Sequence, residues 1–84
     1  MKPVCVKCEI EFRPERNGIY VKELRLDGSF YKLWAADKWK CPKCGTEITY
    51  GYGSAPIVGD WEKDAPKLLE QLEKETETVI CHEK

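Results

Sequence analysis

Four of the five cysteines form two closely spaced pairs. Two residues separate Cys5 from Cys8, and two separate Cys41 from Cys44. This spacing lets one tight turn direct both sulfurs at a single ion, and two such turns supply tetrahedral sulfur coordination. The pattern therefore predicts that these four cysteines bind one metal ion. Zinc is favoured, and iron is the alternative because a tetrahedral sulfur site suits either ion.

The second turn has the residues that a metal-binding turn requires. Pro42 restricts the backbone inside the turn, and Gly45 follows the last cysteine, where a left-handed conformation is often needed. A set of four thiolates leaves no coordination position for water, so the ion is expected to be structural. A stabilising metal is expected in a chain of this length, because 84 residues bury only a marginal hydrophobic core.

Cys81 and His82 stand apart from this pattern. Adjacent residues of an extended chain point to opposite faces, which suits neither shared metal binding nor a nucleophile with its base. His82 is the only histidine, and no catalytic triad or phosphate-binding glycine loop is present. We therefore expect no enzymatic activity and interpret residues 81–84 as a frayed tail.

The charge is divided unevenly along the chain. Residues 1–50 contain ten Lys and Arg against seven Asp and Glu (+3), and residues 51–84 contain four against eight (−4), which gives the net charge of −1. Four thiolates with one divalent ion would add −2 to the first half. A strongly basic surface is therefore not expected, which disfavours a nucleic-acid binder that acts mainly through charge.

Signals for membrane insertion or export are missing from the sequence. Residues 1–12 contain four charged side chains and no apolar stretch of signal-peptide length, and no apolar run is long enough to span a bilayer. In a reducing compartment paired cysteines more often bind metal than form disulfides. We expect a cytoplasmic protein without membrane contact.

Strands are predicted around both cysteine turns and between them. Residues 3–13 and 37–50 each favour a strand, a cysteine turn and a second strand, and residues 14–18 (PERNG) favour a turn. Asp27-Gly28 between apolar segments predicts a hairpin with a two-residue loop. In that register Leu24 lies opposite Tyr31, and three further pairs follow: Glu23 with Lys32, Lys22 with Leu33, and Val21 with Trp34. One face of the hairpin then carries Leu24, Leu26, Tyr31 and Leu33. The alternation slips near Lys22, where the strand has room for a bulge.

The last third of the chain has a helical period. Apolar residues recur in one stripe over residues 64–80, with Asp64 as the N-cap and Pro66 in the first turn. The opposite face is acidic. We expect Trp61 to dock this helix onto the sheet and Trp39 to shield the metal.

Both cysteine turns resemble the iron-binding elbows of rubredoxins, over residues 4–8 and 37–45. Rubredoxins have glycine after the second cysteine of the first turn, where this chain has Glu9. A longer pattern resembles small zinc-ribbon proteins of bacteria and their phages, over about residues 5–57. It consists of the first cysteine pair, then RPERNG (13–18), YKLWAADKWKC (31–41) with the second pair, and GYGSAP (51–56).

The resemblance implies a fold and a metal but no activity. Together with the predicted elements, it leads us to expect a small metal-stapled α+β protein, with a zinc-ribbon or rubredoxin-like antiparallel sheet and a C-terminal helix. We expect residues 1–57 to form the zinc-ribbon domain and residues 58–84 to form an acidic amphipathic helix and tail packed on it.

We expect a non-enzymatic zinc module, monomeric or homodimeric, that acts by binding a protein. The phage resemblance adds the hypothesis that it is phage-encoded and modulates a host protein. A nucleic-acid-binding zinc ribbon is the first alternative, because aromatic residues with nearby lysines can stack and neutralise a single strand. Rubredoxin-like electron transfer with iron is the second. The candidate binding surface consists of Trp34, Lys38, Lys40, Lys43, Tyr50 and Tyr52.

Overall fold

The computed structural model describes residues 2–82, which form a mostly β structure of the small α+β class. One helix is present among them, α1 (Ala65–Glu73). The strands are β1 (Val4–Cys5), β2 (Ile10–Glu11), β3 (Arg13–Leu24), β4 (Phe30–Lys40), β5 (Glu47–Tyr50), β6 (Val58–Gly59) and β7 (Thr78–His82).

The strands form two sheets. β1 and β2 pair antiparallel on either side of the first cysteine turn. The main sheet has the order β5-β4-β3-β7, and β6 pairs with β4 beside Lys32 and Leu33. Since β7 runs parallel to β3, the sheet is mixed, and the prediction of a purely antiparallel sheet is wrong.

The hairpin between β3 and β4 has the predicted register in its body and a different loop. Glu23 faces Lys32, Lys22 faces Leu33 and Val21 faces Trp34, as expected. Leu24, however, faces Phe30 instead of Tyr31, because a bulge lies between Glu23 and Leu24 rather than near Lys22.

The loop has three residues instead of two. The N–H of Arg25 donates to the carbonyl of Ser29 (2.8 Å), and Gly28 between them has a φ of 88°. A turn that ends in a left-handed residue is the common solution for three-residue hairpin loops. Leu26 therefore lies in the loop with 77% of its surface exposed, and not on the apolar face.

Strand β3 continues through the segment predicted to be a turn. Register shifts lie between Pro14 and Arg16 and between Arg16 and Ile19, so bulges absorb the extra residues without breaking the strand. Gly18 has a φ of 73°, and its N–H donates to the Asp37 carboxylate of β4 (3.0 Å). The turn-forming residues thus produce a bent strand, because β4 supplies a partner for their backbone.

The helix covers one face of the main sheet. Leu33 and Val58 pack against Ala65 and Leu69 of α1, and Lys22 forms an ion pair with Glu73 (3.0 Å). Partly buried side chains complete this cluster: Tyr20, Phe30, Leu68 and Leu72. Because side chains alternate along a strand, Val21 and Trp34 point to the opposite face, away from the helix.

The predicted extent of the helix is wrong at its C-terminal end. The helix begins after Asp64 with Pro66 in its first turn, as expected, although the Asp64 side chain makes no cap hydrogen bond. It ends at Glu73, and residues 78–82 form β7. Thr78, Val79 and Ile80 are β-branched and favour a strand once β3 offers an open edge. Cys81 and His82 belong to this strand, so the prediction of a frayed tail is wrong for them, while residues 83–84 lie outside the described residues.

Trp61 does not dock the helix. It is 62% exposed, and its ring lies over Gly59, where a Cβ atom would overlap it. Residues 58–82 instead join the rest of the chain through β6, β7 and the helix cluster. Within residues 2–82 no helix has the length and apolar character needed to cross a bilayer.

Candidate metal centre

The structure brings the four predicted ligands together. The sulfur atoms of Cys5, Cys8, Cys41 and Cys44 all lie within 4.8 Å of one another. The Cys5 and Cys44 sulfurs are 3.8 Å apart. Zn–S bonds of about 2.3 Å in a tetrahedron place sulfurs about 3.8 Å apart, so the cluster has the dimensions of a four-sulfur metal site. In the described part of the chain no histidine or carboxylate joins the group.

The first turn projects from the two-stranded sheet. β1 ends at Cys5, and the N–H of Glu9 returns to the Cys5 carbonyl (2.7 Å), which closes the turn around Cys8. Glu9 has a φ of 56° and is the only non-glycine residue from 2 to 82 with a positive φ. Phe12 continues the chain into β3, and its N–H donates to the Pro3 carbonyl (2.9 Å).

The second turn connects β4 with β5 and has the same closure. The N–H of Gly45 donates to the Cys41 carbonyl (3.0 Å), and Gly45 has a φ of 81°. The N–H of Cys41 donates to the Thr46 carbonyl (2.8 Å), which ties the two ends of the turn together. The N–H of Cys44 points at the Cys41 sulfur (3.5 Å), where the backbone dipole can offset thiolate charge.

Apolar side chains cover the inner side of the cluster. Cys5, Cys41 and Phe12 are buried together, and Trp39 and Ile48 pack against them. The prediction that Trp39 shields the cluster is confirmed. Its indole N–H is buried without a hydrogen-bond partner among the described residues, while its ring meets Tyr50 edge-on (5.8 Å between centroids).

The thiols differ in acidity because their surroundings differ. The hydroxyl and backbone N–H of Thr46 lower the pKa of Cys44 to about 6. Backbone N–H groups of Cys44 and Lys43 also lower the pKa of Cys41. Burial and hydrogen bonds to the other three thiols raise the pKa of Cys8 to about 12. Four thiolates this close repel one another, so the fully deprotonated set requires a cation.

Three residues of this centre were missed by sequence reasoning. Phe12 and Ile48 form its apolar cover, and Thr46 donates to the exposed Cys44. The first two could have been found, since each is an apolar residue four positions after the last cysteine of its turn, Phe12 between β2 and β3 and Ile48 on β5. The Thr46 contact had no sequence signal.

The six candidate binding residues do not form one surface. Lys38 is half-buried, unlike Lys40 and Lys43, and contacts the carboxylates of Glu77 (2.8 Å), Glu47 (3.1 Å) and Glu15 (3.9 Å). The hydrogen bonds to Glu77 and Glu47 raise the pKa of Lys38, so its ammonium stays charged and is balanced by the carboxylates around it.

The other two lysines lie beside the metal centre. Lys40 and Lys43 line an open groove of about 430 Å³ with Arg13 and Cys44. Lys40 is within 3.9 Å of Glu15. Positive charge next to the cluster offsets the charge of its thiolates.

The remaining aromatic residues divide between two places. Tyr50 contacts Trp39 near the metal centre, and the Tyr52 ring meets Trp34 at 6.4 Å and 64° on the face away from the helix. The Tyr52 hydroxyl bonds the Thr49 hydroxyl (2.6 Å). Cys81, exposed in β7, is outside the four-cysteine group.

Comparison of the chain with protein-family models, curated proteins and solved structures finds no match.

Proposed function

We propose that this protein is a zinc-ribbon module in which one structural zinc ion orders the two cysteine turns and the module acts by binding another protein. The observation that carries the proposal is the closed set of four sulfurs within 4.8 Å. Such a set can hold a tetrahedral ion and leaves no position for a reacting water. When bound, zinc supplies the cross-link between residues that are 39 positions apart in the chain, Cys5 and Cys44.

Binding to a protein is supported by the face of the main sheet that the helix leaves uncovered. Trp34 and Tyr52 meet on this face, and aromatic residues are frequent anchors of protein interfaces. Carboxylates surround Lys38 on the same face, which disfavours the phosphates of a nucleic acid. The nucleic-acid alternative therefore rests on the basic groove beside the metal centre alone.

Electron transfer with iron is the second candidate, favoured by the exposure of Cys44. An exposed ligand would allow a redox partner to approach an iron ion closely. The metal distinguishes the two candidates, because zinc has no redox chemistry and a four-sulfur iron site is coloured.

The test combines metal analysis with partner capture. Protein purified from its source cell is expected to contain one zinc per chain and to lose its cooperative unfolding transition after chelation. Zinc-loaded protein, and not the chelated form, is then expected to retain a protein from cell extract. Iron with a reversible one-electron couple in the native preparation would overturn the zinc function, and retention of nucleic acid alone would overturn the protein-binding function.

A further inference from the structure

A pocket of about 360 Å³ lies on the uncovered face of the main sheet, away from the metal centre. It is lined by Val21, Glu23, Trp34, Tyr52 and Cys81. Three neighbouring strands form its floor, because Val21 lies between Trp34 and Val79, and Glu23 lies between Lys32 and Cys81. β7 contributes Cys81 to this lining because it joins the sheet beside β3.

Two aromatic rings form a corner in this pocket. Trp34 rises from β4, and Tyr52 reaches it from the loop after β5, with their planes at 64°. The hydrogen bond between the hydroxyls of Tyr52 and Thr49 holds the tyrosine in this position. Ring faces attract cations, and tryptophan does so most strongly.

Glu23 places a carboxylate at the apolar corner. Its Oε1 atom accepts the indole N–H of Trp34 (3.0 Å), which fixes the carboxylate beside the ring. No ion pair formed within residues 2–82 includes Glu23. Lys32 is directly opposite in the hairpin, and its ammonium lies over the rings of Tyr31 (4.6 Å from the centroid) and Trp34 (5.7 Å) without forming an ion pair with Glu23. Glu23 therefore keeps its negative charge in the pocket without a direct ion pair among the described residues.

We propose that this pocket binds an arginine side chain of the protein partner, with the guanidinium between Glu23 and the ring of Trp34. This inference rests on the proposed function, since the partner supplies the arginine. The chemistry of the pocket selects that group: a carboxylate attracts a cation, and an adjacent indole offers a flat surface on which a planar guanidinium stacks. The aliphatic stem of arginine matches the apolar wall of Val21.

Other groups fit the pocket less well. An apolar side chain would bury the negative charge of Glu23 without an ion-pair partner, which is unfavourable. A phosphate or an acidic side chain would be repelled by it. A lysine ammonium would satisfy the charge but cannot stack, so it is expected to bind more weakly.

In the test, short peptides are added to zinc-loaded protein and the NMR signals of the protein are monitored. The probe is acetyl-Gly-Arg-Gly-amide, and the same peptide with neutral citrulline is its control. The arginine peptide, added up to about 50 mM, is expected to shift the Trp34 indole N–H and the Cys81 amide signals to saturation, with a Kd of about 1 mM. Glu23→Gln keeps the shape and the indole acceptor and is expected to weaken binding at least tenfold. Glu70→Gln, which removes one charge from the helix, is the matched variant and should leave binding unchanged.

The outcomes separate this inference from the proposed function. Equal shifts with citrulline, no saturable shift, or unchanged affinity in Glu23→Gln would each overturn the arginine pocket. If the Glu23→Gln protein still retains its partner from extract, the module binds a protein through another surface and only the pocket is wrong. If a single-stranded oligonucleotide shifts the Trp34 signal and the arginine peptide does not, the pocket and its protein ligand are both wrong.

Discussion

Glu9 and Gly45 occupy equivalent positions in the two cysteine turns. Each follows the second cysteine of its turn, and each donates its N–H to the carbonyl of the first, over 2.7 Å for Glu9 and 3.0 Å for Gly45. Both are left-handed, with φ of 56° and 81°. The two turns therefore have the same backbone design, and only one of them has the residue that suits it without strain.

Replacing Glu9 by glycine is expected to stabilise the zinc-loaded protein. The left-handed conformation costs a non-glycine residue about 1–2 kcal/mol. The greater freedom of glycine in the unfolded chain offsets about 0.5–1 kcal/mol of that gain. We therefore expect Glu9→Gly to raise the free energy of unfolding by about 0.5–1 kcal/mol in denaturant titrations.

Gly45→Ala is the reciprocal variant. A Cβ at Gly45 would meet the Lys40 side chain at 3.8 Å, an ordinary contact, so only the backbone is strained. The free energy of unfolding should fall by about 1 kcal/mol. If Glu9→Gly destabilises the protein while Gly45→Ala is tolerated, the equivalence of the two turns does not hold in solution.

Loss of one cysteine should show which thiols hold the metal. Cys41 is buried and belongs to the four-sulfur group, whereas Cys81 is exposed in β7. Cys41→Ser is expected to remove tight zinc binding and most of the roughly 10 kcal/mol that a structural zinc site contributes. Metal analysis after dialysis and thermal unfolding measure both effects.

Cys81→Ser is the matched variant. It should retain one zinc per chain and the melting temperature of the wild-type protein. A Cys81→Ser protein that lost its metal would place this thiol among the ligands and contradict the geometry of the site.

The sequence predicted the metal centre far better than the C-terminal third. Cysteine spacing reports the turn directly, because two residues between ligands determine a local geometry. The secondary structure of residues 74–82 depends instead on β3, a strand that is distant in the sequence. Their apolar positions fit a helical stripe, yet Thr78, Val79 and Ile80 pair with β3 once its edge is available. Local periodicity could not show that edge, and the pocket formed by Glu23 and Cys81 was missed with it.

The carboxylates around Lys38 should make stability depend on pH. Hydrogen bonding and charge from Lys38 lower the pKa of Glu47 from its usual value of 4.5. A carboxylate whose pKa is lowered by folding stabilises the protein at pH values above its usual pKa. This contribution is lost as the pH falls through the pKa that the group has in the folded state. The raised pKa of Lys38 acts at the other end, since its contribution is complete below 10.5 and is lost only at higher pH.

Lys38→Met is therefore expected to be less stable than the wild-type protein at neutral pH and to lose less stability on acidification. Melting temperatures from about pH 7 to about pH 4 measure the difference. Lys67→Met is the matched variant, because Lys67 is exposed on α1, away from the metal centre, and none of the ion pairs within residues 2–82 includes it. Zinc release in acid affects both variants alike. Parallel pH profiles for Lys38→Met and the wild-type protein would show that the carboxylates around Lys38 do not contribute.

Proline substitutions should show that β7 pairs with β3 in the register of the structure. The N–H of Tyr20 donates to the carbonyl of Glu77 (3.0 Å), and Tyr20 lies beside Thr78 in the parallel ladder. In such a ladder the N–H of Val79 points toward β3 and that of Ile80 points away from it. Proline at position 79 removes a ladder hydrogen bond, whereas proline at position 80 removes an N–H that faces solvent.

We expect Val79→Pro to lower the free energy of unfolding by about 2 kcal/mol more than Ile80→Pro, because an acceptor on β3 is left unsatisfied. Val79→Ala and Ile80→Ala provide the baseline for loss of each side chain. Amide hydrogen exchange gives an independent readout, with slow exchange at Val79 and Cys81 and fast exchange at Thr78 and Ile80. If the two prolines lower the free energy of unfolding equally and all four amides exchange fast, residues 78–82 do not form a strand. The pocket beside Glu23 would then lack the contribution of β7.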